Sequence, residues 1–216
     1  MNIISWNILL RDHEIKYNPS SEILLEWPVE SYREDAIINI LKLYSNKDSI
    51  ILLQEVSLSI LFKLTHAFED KSIFSYRISK NEYLVTLSPR IYTEESWTQN
   101  KTANGYLAIK KDDLLIVNTH LIPQRYVMYD VLDYILKIRP KNIGSTTMIV
   151  GDFNENWKKI NNVLGSRYIV PFFGSTYKKR QIDHIIFDKN LKISSKQNIA
   201  YKNISDHNLL KLIIDE

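Results

Sequence analysis

Residues fit for hydrolytic chemistry recur at the ends of apolar runs. Asn7 closes "SWN", Glu55 lies in "LLQEV", His120 in "VNTHL", Asp152 and Asn154 in "GDFN", Asp183 in "QIDHI", and Asp206 and His207 in "SDHNLL". Carboxylates with an amide suit a hard divalent cation such as Mg²⁺, which takes oxygen ligands. Histidines beside carboxylates suit proton transfer and the stabilisation of developing charge. Phosphoester hydrolysis requires that combination. Singly, each residue has an ordinary explanation. Asn7 can end a strand, Glu55 can cap a helix, and a lone His120 can be a hydrogen-bonded core histidine. Asp152 and Asn154 suit a tight turn, Asp183 can be a surface residue on a half-buried strand with His184 as its non-catalytic neighbour, and Asp206 can open a strand. Six such coincidences together call for a common cause.

The elements that must position these groups are legible as patterns. Apolar, β-branched runs at 2–6, 49–53, 82–87, 103–110, 113–119, 146–151, 181–187 and 208–214 predict strands. Helical spacing predicts helices over 33–44 and 124–138, and a weaker one over 57–68 with Ser57 as N-cap. Strands outnumber helices, which points to stacked sheets with helices outside, an α/β sandwich. Residues 11–32 show no clean period and read as a long, partly ordered loop. Most of the reactive residues fall at strand ends, where side chains from different strands converge in a crevice.

Composition sets the limits. The 216 residues are 44% hydrophobic, with no repeat and no Gly/Ser linker, so one domain over 1–216 is expected. The absence of cysteine excludes disulfides and thiolate metal sites and fits a reducing compartment. No apolar stretch reaches membrane-span length, and "MNIISWNILL" reads as a first strand rather than a signal peptide, so an intracellular protein is expected. The net charge of +3 permits an anionic partner without requiring one.

In their order along the chain, the six motifs resemble the signature of the endonuclease/exonuclease/phosphatase superfamily, from residue 5 to residue 210. The resemblance implies a four-layer α/β sandwich, two packed mixed β-sheets flanked by helices. It also implies divalent-metal-dependent hydrolysis of a phosphoester, with Mg²⁺ as the ion and Mn²⁺ as a substitute. By that resemblance Glu55 is the principal metal ligand, with Asn7 and Asp206 near the metal or the scissile phosphate. Asp152 orients or deprotonates the attacking water, and Asn154 contacts the phosphate. His207 hydrogen-bonds the phosphate and is held in its tautomer by Asp183, while His120 lies near the leaving-group oxygen. Abasic-site and retrotransposon endonucleases carry Tyr at that last position, so His120 argues against those branches. The stretch 11–32 resembles an insertion of deadenylase/nocturnin-type members, although Arg33 can equally well open the helix without touching a ligand.

The substrate is read from charge. Residues 156–182 hold Lys158, Lys159, Arg167, Lys178, Lys179 and Arg180 and no acid, interleaved with Trp157, Tyr168, Phe172, Phe173 and Tyr177. Basic groups among aromatics suit a nucleic-acid backbone with stacked bases. Trp157, Lys158, Tyr177, Lys178, Lys179 and Arg180 are the substrate-contact candidates, and a nuclease acting on DNA or RNA is the expected activity. The alternatives are a 5′-tyrosyl-DNA phosphodiesterase and a small-molecule or inositol phosphate phosphatase. No membrane and no obligate protein partner are expected, and a monomer is.

Overall fold

The computed structural model describes residues 1–94, 106–121, 146–166 and 168–215. Twelve strands form two mixed sheets of six. The first has the order β11(Lys192–Ile199), β12(Leu209–Asp215), β1(Asn2–Asn7), β2(Ser49–Val56), β4(Tyr83–Pro89), β3(Lys71–Arg77). The second has the order β5(Thr93–Glu94), β6(Tyr106–Lys111), β7(Leu114–His120), β8(Thr146–Asp152), β10(Asp183–Asp188), β9(Tyr168–Ile169). Each sheet has a parallel pair at its centre, β1 with β2 and β7 with β8. All residues of β1 and β2 are buried. This fits a parallel pair covered on both faces, whose strands read as continuous apolar runs.

Strand alternation explains the layering, because successive side chains point to opposite faces of a sheet. Ile3, Ile50 and Leu52 of the first sheet meet Ile116, Met148, Val150 and Ile185 of the second in a shared core. Their neighbours Ile4, Trp6, Ile51 and Leu53 turn outward under α3(Glu30–Tyr44) and α4(Leu58–Ala67). On the other outer face, Val117, Ile149 and Ile186 pack against Ile160 and Leu164, both on α5(Trp157–Leu164). The result is the expected four-layer α/β sandwich, two packed mixed sheets with helices outside.

The strands at 71–77 and 192–199 carry no apolar run because they are the two edge strands of the first sheet and remain half exposed. The stretch 11–32 is not the loop that its aperiodic sequence suggests. It folds as α1(Arg11–Tyr17), α2(Glu22–Glu26) and the first residues of α3. Helices of 7 and 5 residues are too short to show a period. Specific bonds hold them instead, from Arg11 to the Trp27 and Pro28 carbonyls and to Glu30, and from the Trp27 indole to the Asn203 carbonyl. Ser57 caps α4 by accepting from the Ile60 amide, whereas the helix expected at 124–138 lies outside the described residues. Among the described residues no helix is long and apolar enough to cross a membrane.

Candidate active site

Sheet register does most of the positioning. His120 at the end of β7 is the partner of Asp152 at the end of parallel β8, and Asp183 at the start of antiparallel β10 is also paired with Asp152. Three functional side chains therefore stand side by side on adjacent strands. Across the sandwich, Asn7 ends β1 beside Gln54, one residue before Glu55. The register of β2 against β4 breaks between Leu53 and Val56, and Glu55 lies in that irregularity with φ 57°. An irregularity of this kind bends a strand and re-aims a side chain. Asn154, at φ 52°, adopts the same left-handed conformation, which costs non-glycine residues about 1–2 kcal/mol each. Gly151 is required for a different reason. Its φ is 140°, and a Cβ there would lie 1.9 Å from the Thr119 carbonyl oxygen, so no side chain fits at this point of β8.

The two sheets meet through Asn7. Its buried amide donates to Glu55 Oε1 at 2.9 Å and to Asp152 Oδ2 at 3.1 Å, while its Oδ1 accepts from the Leu9 amide. Glu55 Oε2 accepts from the Leu10 amide at 2.9 Å and pairs with His13 Nδ1 at 2.9 Å. Burial works against the Glu55 charge, but the His13 hydrogen bond, the nearby His120 charge and the Asn7 amide outweigh it. The carboxyl is held down at about 2.

Two histidine–carboxylate pairs flank Asp152. His207 Nδ1 contacts both Asp183 oxygens at 2.9 and 3.0 Å, which leaves Nε2 3.8 Å from Asp152 Oδ2. His120 Nδ1 contacts Glu82 Oε1 at 3.0 Å, which leaves its Nε2 3.6 Å from the same oxygen. Burial opposes the positive charge on His207, yet Asp183 and Asp152 raise it well above its ordinary value. On His120, burial is likewise outweighed by the Glu82 hydrogen bond and the Asp152 and Glu55 charges, and the ring rises to about 9. Asp152 moves the other way for a carboxylate. Burial and then repulsion from Asp183 push it up to about 6, against the pull of His207 and His120. A buried carboxyl near neutrality between two imidazoles is suited to accept a proton from water. Asn154 donates its backbone N–H to Asp152 Oδ1 and its side-chain amide to the Leu121 carbonyl.

The loop bearing Asp206 and His207 is held by backbone and hydroxyl contacts. Ser205 Oγ donates to the Asn7 carbonyl and accepts from the His207 amide. Buried Arg33 binds the Ile8, Leu9 and Ile204 carbonyls, so it clamps the loops after β1 and before β12 together. Asp206 Oδ1 is buried without a hydrogen-bond partner. Among the described residues only the His207 ring pairs with this carboxylate oxygen, at 4.0 Å, so the oxygen fits a cation. The oxygens of Asp206 and Glu55 fit a hard one, while Asn7 turns its amide N–H to Glu55 and orients that carboxylate. Asp152, Asp183 and His207 also bring ligand atoms within 4.8 Å of one another, but Asp183 and His207 already satisfy each other there.

Glu55, His120, Asp152, Asn154, Asp206 and His207 border one cavity of about 820 Å³, which His13, Glu82, Tyr177 and Lys178 also line. Asn7 and Asp183 support these groups from behind it. His13 and Glu82 carry no sequence signal. His13 lies in the aperiodic stretch, and Glu82 follows the turn-like "SKN". Of the substrate-contact candidates, Tyr177 and Lys178 reach the cavity. Lys158, Lys179 and Arg180 are exposed elsewhere. Trp157 packs against the outer core and donates its indole N–H to the Val170 carbonyl. Arg167 lies outside the described residues.

A model of the Endonuclease/Exonuclease/phosphatase family matches residues 4–207. The chain belongs to this family. The match runs from β1 through His207 and so contains every residue of the site just described. No curated protein matches the chain by sequence. Solved structures with the same fold include an endonuclease/exonuclease/phosphatase from Bacteroides vulgatus, 14% identical, with a TM-score of 0.73 over 99% of this chain and 98% of that one. Truncated Caenorhabditis elegans TDP2 is 17% identical, with a TM-score of 0.68 over 100% of this chain and 97% of that one. The mannosyl-6-phosphatase of Bacteroides thetaiotaomicron is 12% identical, with a TM-score of 0.71 over 100% of both chains. At such identities these likenesses establish the fold, and membership of the Endonuclease/Exonuclease/phosphatase family supports phosphoester hydrolysis as the reaction class.

Proposed function

We propose that this family member is a divalent-metal-dependent phosphodiesterase acting on nucleic acid. One observation carries the reading. Asn7 and Glu55 from one sheet meet Asp152 from the other, between two histidines each backed by a carboxylate. Asp206 and Glu55 would hold a Mg²⁺ ion, with Mn²⁺ as a substitute and Asn7 beside it orienting Glu55, and the ion would supply charge neutralisation at the phosphate. Asp152 accepts the proton of the attacking water. Asp183 fixes His207 with Nδ1–H donated to the carboxylate, so Nε2–H faces the phosphoryl oxygen. Glu82 orients His120 in the same way, and its Nε2–H serves the leaving-group oxygen. Asn154 completes the phosphate contacts through its remaining amide capacity. The exposed Lys178 at the cavity favours a polyanion.

A second reading, a small phosphate-bearing molecule, is supported by the full-length likeness to the mannosyl-6-phosphatase. The test is a panel of single-stranded DNA, RNA, 5′-tyrosyl DNA, inositol phosphates and a sugar phosphate, each with Mg²⁺ and with chelator. Hydrolysis of an oligonucleotide that chelator abolishes is the expected result. Glu55→Gln should lower that activity by orders of magnitude with the fold intact, since no core packing is lost. Turnover near wild type with unchanged Mg²⁺ dependence would remove Glu55 from the ligand set.

A further inference from the structure

The cavity is larger than the phosphate chemistry needs. A volume of about 820 Å³ lies within the roughly 300–1,000 Å³ of sites that enclose whole organic ligands. Its buried part holds Asp152, Glu55 and the histidines, and its exposed rim is formed by α1 and the turn joining β3 to β4. Tyr17 and half-buried Ile78 line it there, and buried Leu9 lines the cavity from the loop after β1. Among the described residues, Tyr17 and Tyr177 are the aromatic side chains, histidines aside, that line this cavity.

Tyr177 is already occupied. Its ring lies 4.8 Å from that of His207 at 34°, and Lys178 Nζ sits 4.8 Å from its centroid. Tyr17 is open. It is 72% exposed, with Lys16 Nζ 4.9 Å from the ring centroid and the His13 ring 6.1 Å away and tilted by 58°. Its placement is fixed despite the exposure. His13 and Tyr17 are four residues apart on α1 and therefore share a face. His13 is anchored to Glu55 at 2.9 Å, so Tyr17 stands one helical turn outward from the candidate metal ligand. An exposed aromatic ring next to a cation, in a cavity that apolar Ile78 and Leu9 also line, is a platform for another planar ring.

We propose that Tyr17 stacks one unpaired base next to the scissile phosphate. The inference rests on the nucleic-acid reading above and sharpens it. The substrate is then a single-stranded or frayed segment, recognised by a base on α1 as well as by its phosphates. The basic segment 156–182, where sequence placed the aromatics, contributes charge rather than stacking.

The test compares a short single strand with the same strand carrying abasic residues, both binding in chelator so that no turnover occurs. Fluorescence anisotropy gives the ratio of the two affinities for the wild-type protein, Tyr17→Ala and Tyr17→Phe. The wild type should prefer the base-bearing strand. In Tyr17→Ala that preference should fall on the order of tenfold, and Tyr17→Phe should keep it. A preference that persists in Tyr17→Ala overturns the subsite. So does its loss in Tyr17→Phe, which would assign recognition to the hydroxyl. A wild-type protein that neither binds nor cleaves either strand while hydrolysing the sugar phosphate overturns the nucleic-acid reading, and the subsite with it. The first two failures leave oligonucleotide cleavage in place, which separates them from the third.

Discussion

Asp183 and His207 behave, by geometry, as one device. Both carboxylate oxygens lie within 3.0 Å of Nδ1, so the ring has one orientation and presents one nitrogen to the cavity. Asp183→Asn preserves volume but no longer fixes the tautomer, and His207→Ala removes the donor altogether. Each should lower kcat/KM by about two orders of magnitude or more, and the double mutant should be scarcely worse than the poorer single, because groups acting as a unit lose function together. Two large and independent defects that multiply would separate them. The sequence announces this pair, as "QIDHI" and "SDHN" supply the residue types at strand ends. It is silent on Glu82 and His13, whose partners lie 38 and 42 residues away. Their role comes from how the chain returns to the site and leaves no local pattern. Trp157 misleads for the opposite reason. Its neighbours in sequence are basic, but its neighbours in space are core.

At the scale of the element, β10 shows how one strand serves both chemistry and stability. Alternation turns Asp183 to His207 and His184 to the opposite side, where its ring meets Phe153 edge-on at 5.2 Å and 86°. His184 Nε2 lies 2.9 Å from the Glu155 carbonyl, so it donates, and Nδ1 is left to accept from the Gln181 amide. A second proton has no acceptor there. Burial pushes the imidazole down to about 4 against the Glu155 hydrogen bond. The sign follows from which state takes the proton first. The unfolded chain protonates His184 near 6.5 and the folded one near 4, so its stabilisation is complete above 6.5 and is lost as pH falls through that window. The amount is about 3 kcal/mol. His120 and His207, raised rather than lowered, act in the opposite sense, so the measurement must be a difference. Urea unfolding of wild type and His184→Gln between pH 7 and pH 4 should converge by about that amount, and parallel curves would show that His184 is not the responsible group. The sequence marked β10 as a strand and His184 as the neighbour without chemistry. The edge strands β3 and β11 and the short helices α1 and α2 escaped it, since half-exposed edges and single turns show no period.

Across the whole molecule, charge and chemistry are unevenly placed. Residues 156–182 hold six basic side chains and no acid, so the remainder of a chain of net +3 carries −3. The cavity itself is lined by Glu14, Glu55, Glu82, Asp152 and Asp206, a set that attracts cations and repels a bare polyanion. Exposed Lys178 at the cavity, followed in sequence by exposed Lys179 and Arg180, offsets that repulsion at longer range. If these side chains pair with backbone phosphates, each contact releases condensed counterions and contributes roughly −0.7 to the salt slope on single strands. Changing all three to Glu should therefore flatten log K against log[salt] by about two units. The same variant should hydrolyse a small uncharged-leaving-group diester nearly as the wild type does, because none of the three carries the proton transfers. A small-phosphate enzyme predicts otherwise, since a compact anion near Glu55 and Asp206 depends little on this run of exposed basic side chains. An unchanged salt slope together with full activity on oligonucleotides would make the run a solvated edge. The phosphoester chemistry would stand, and the preference for nucleic acid would have to rest on the open ring of Tyr17 alone.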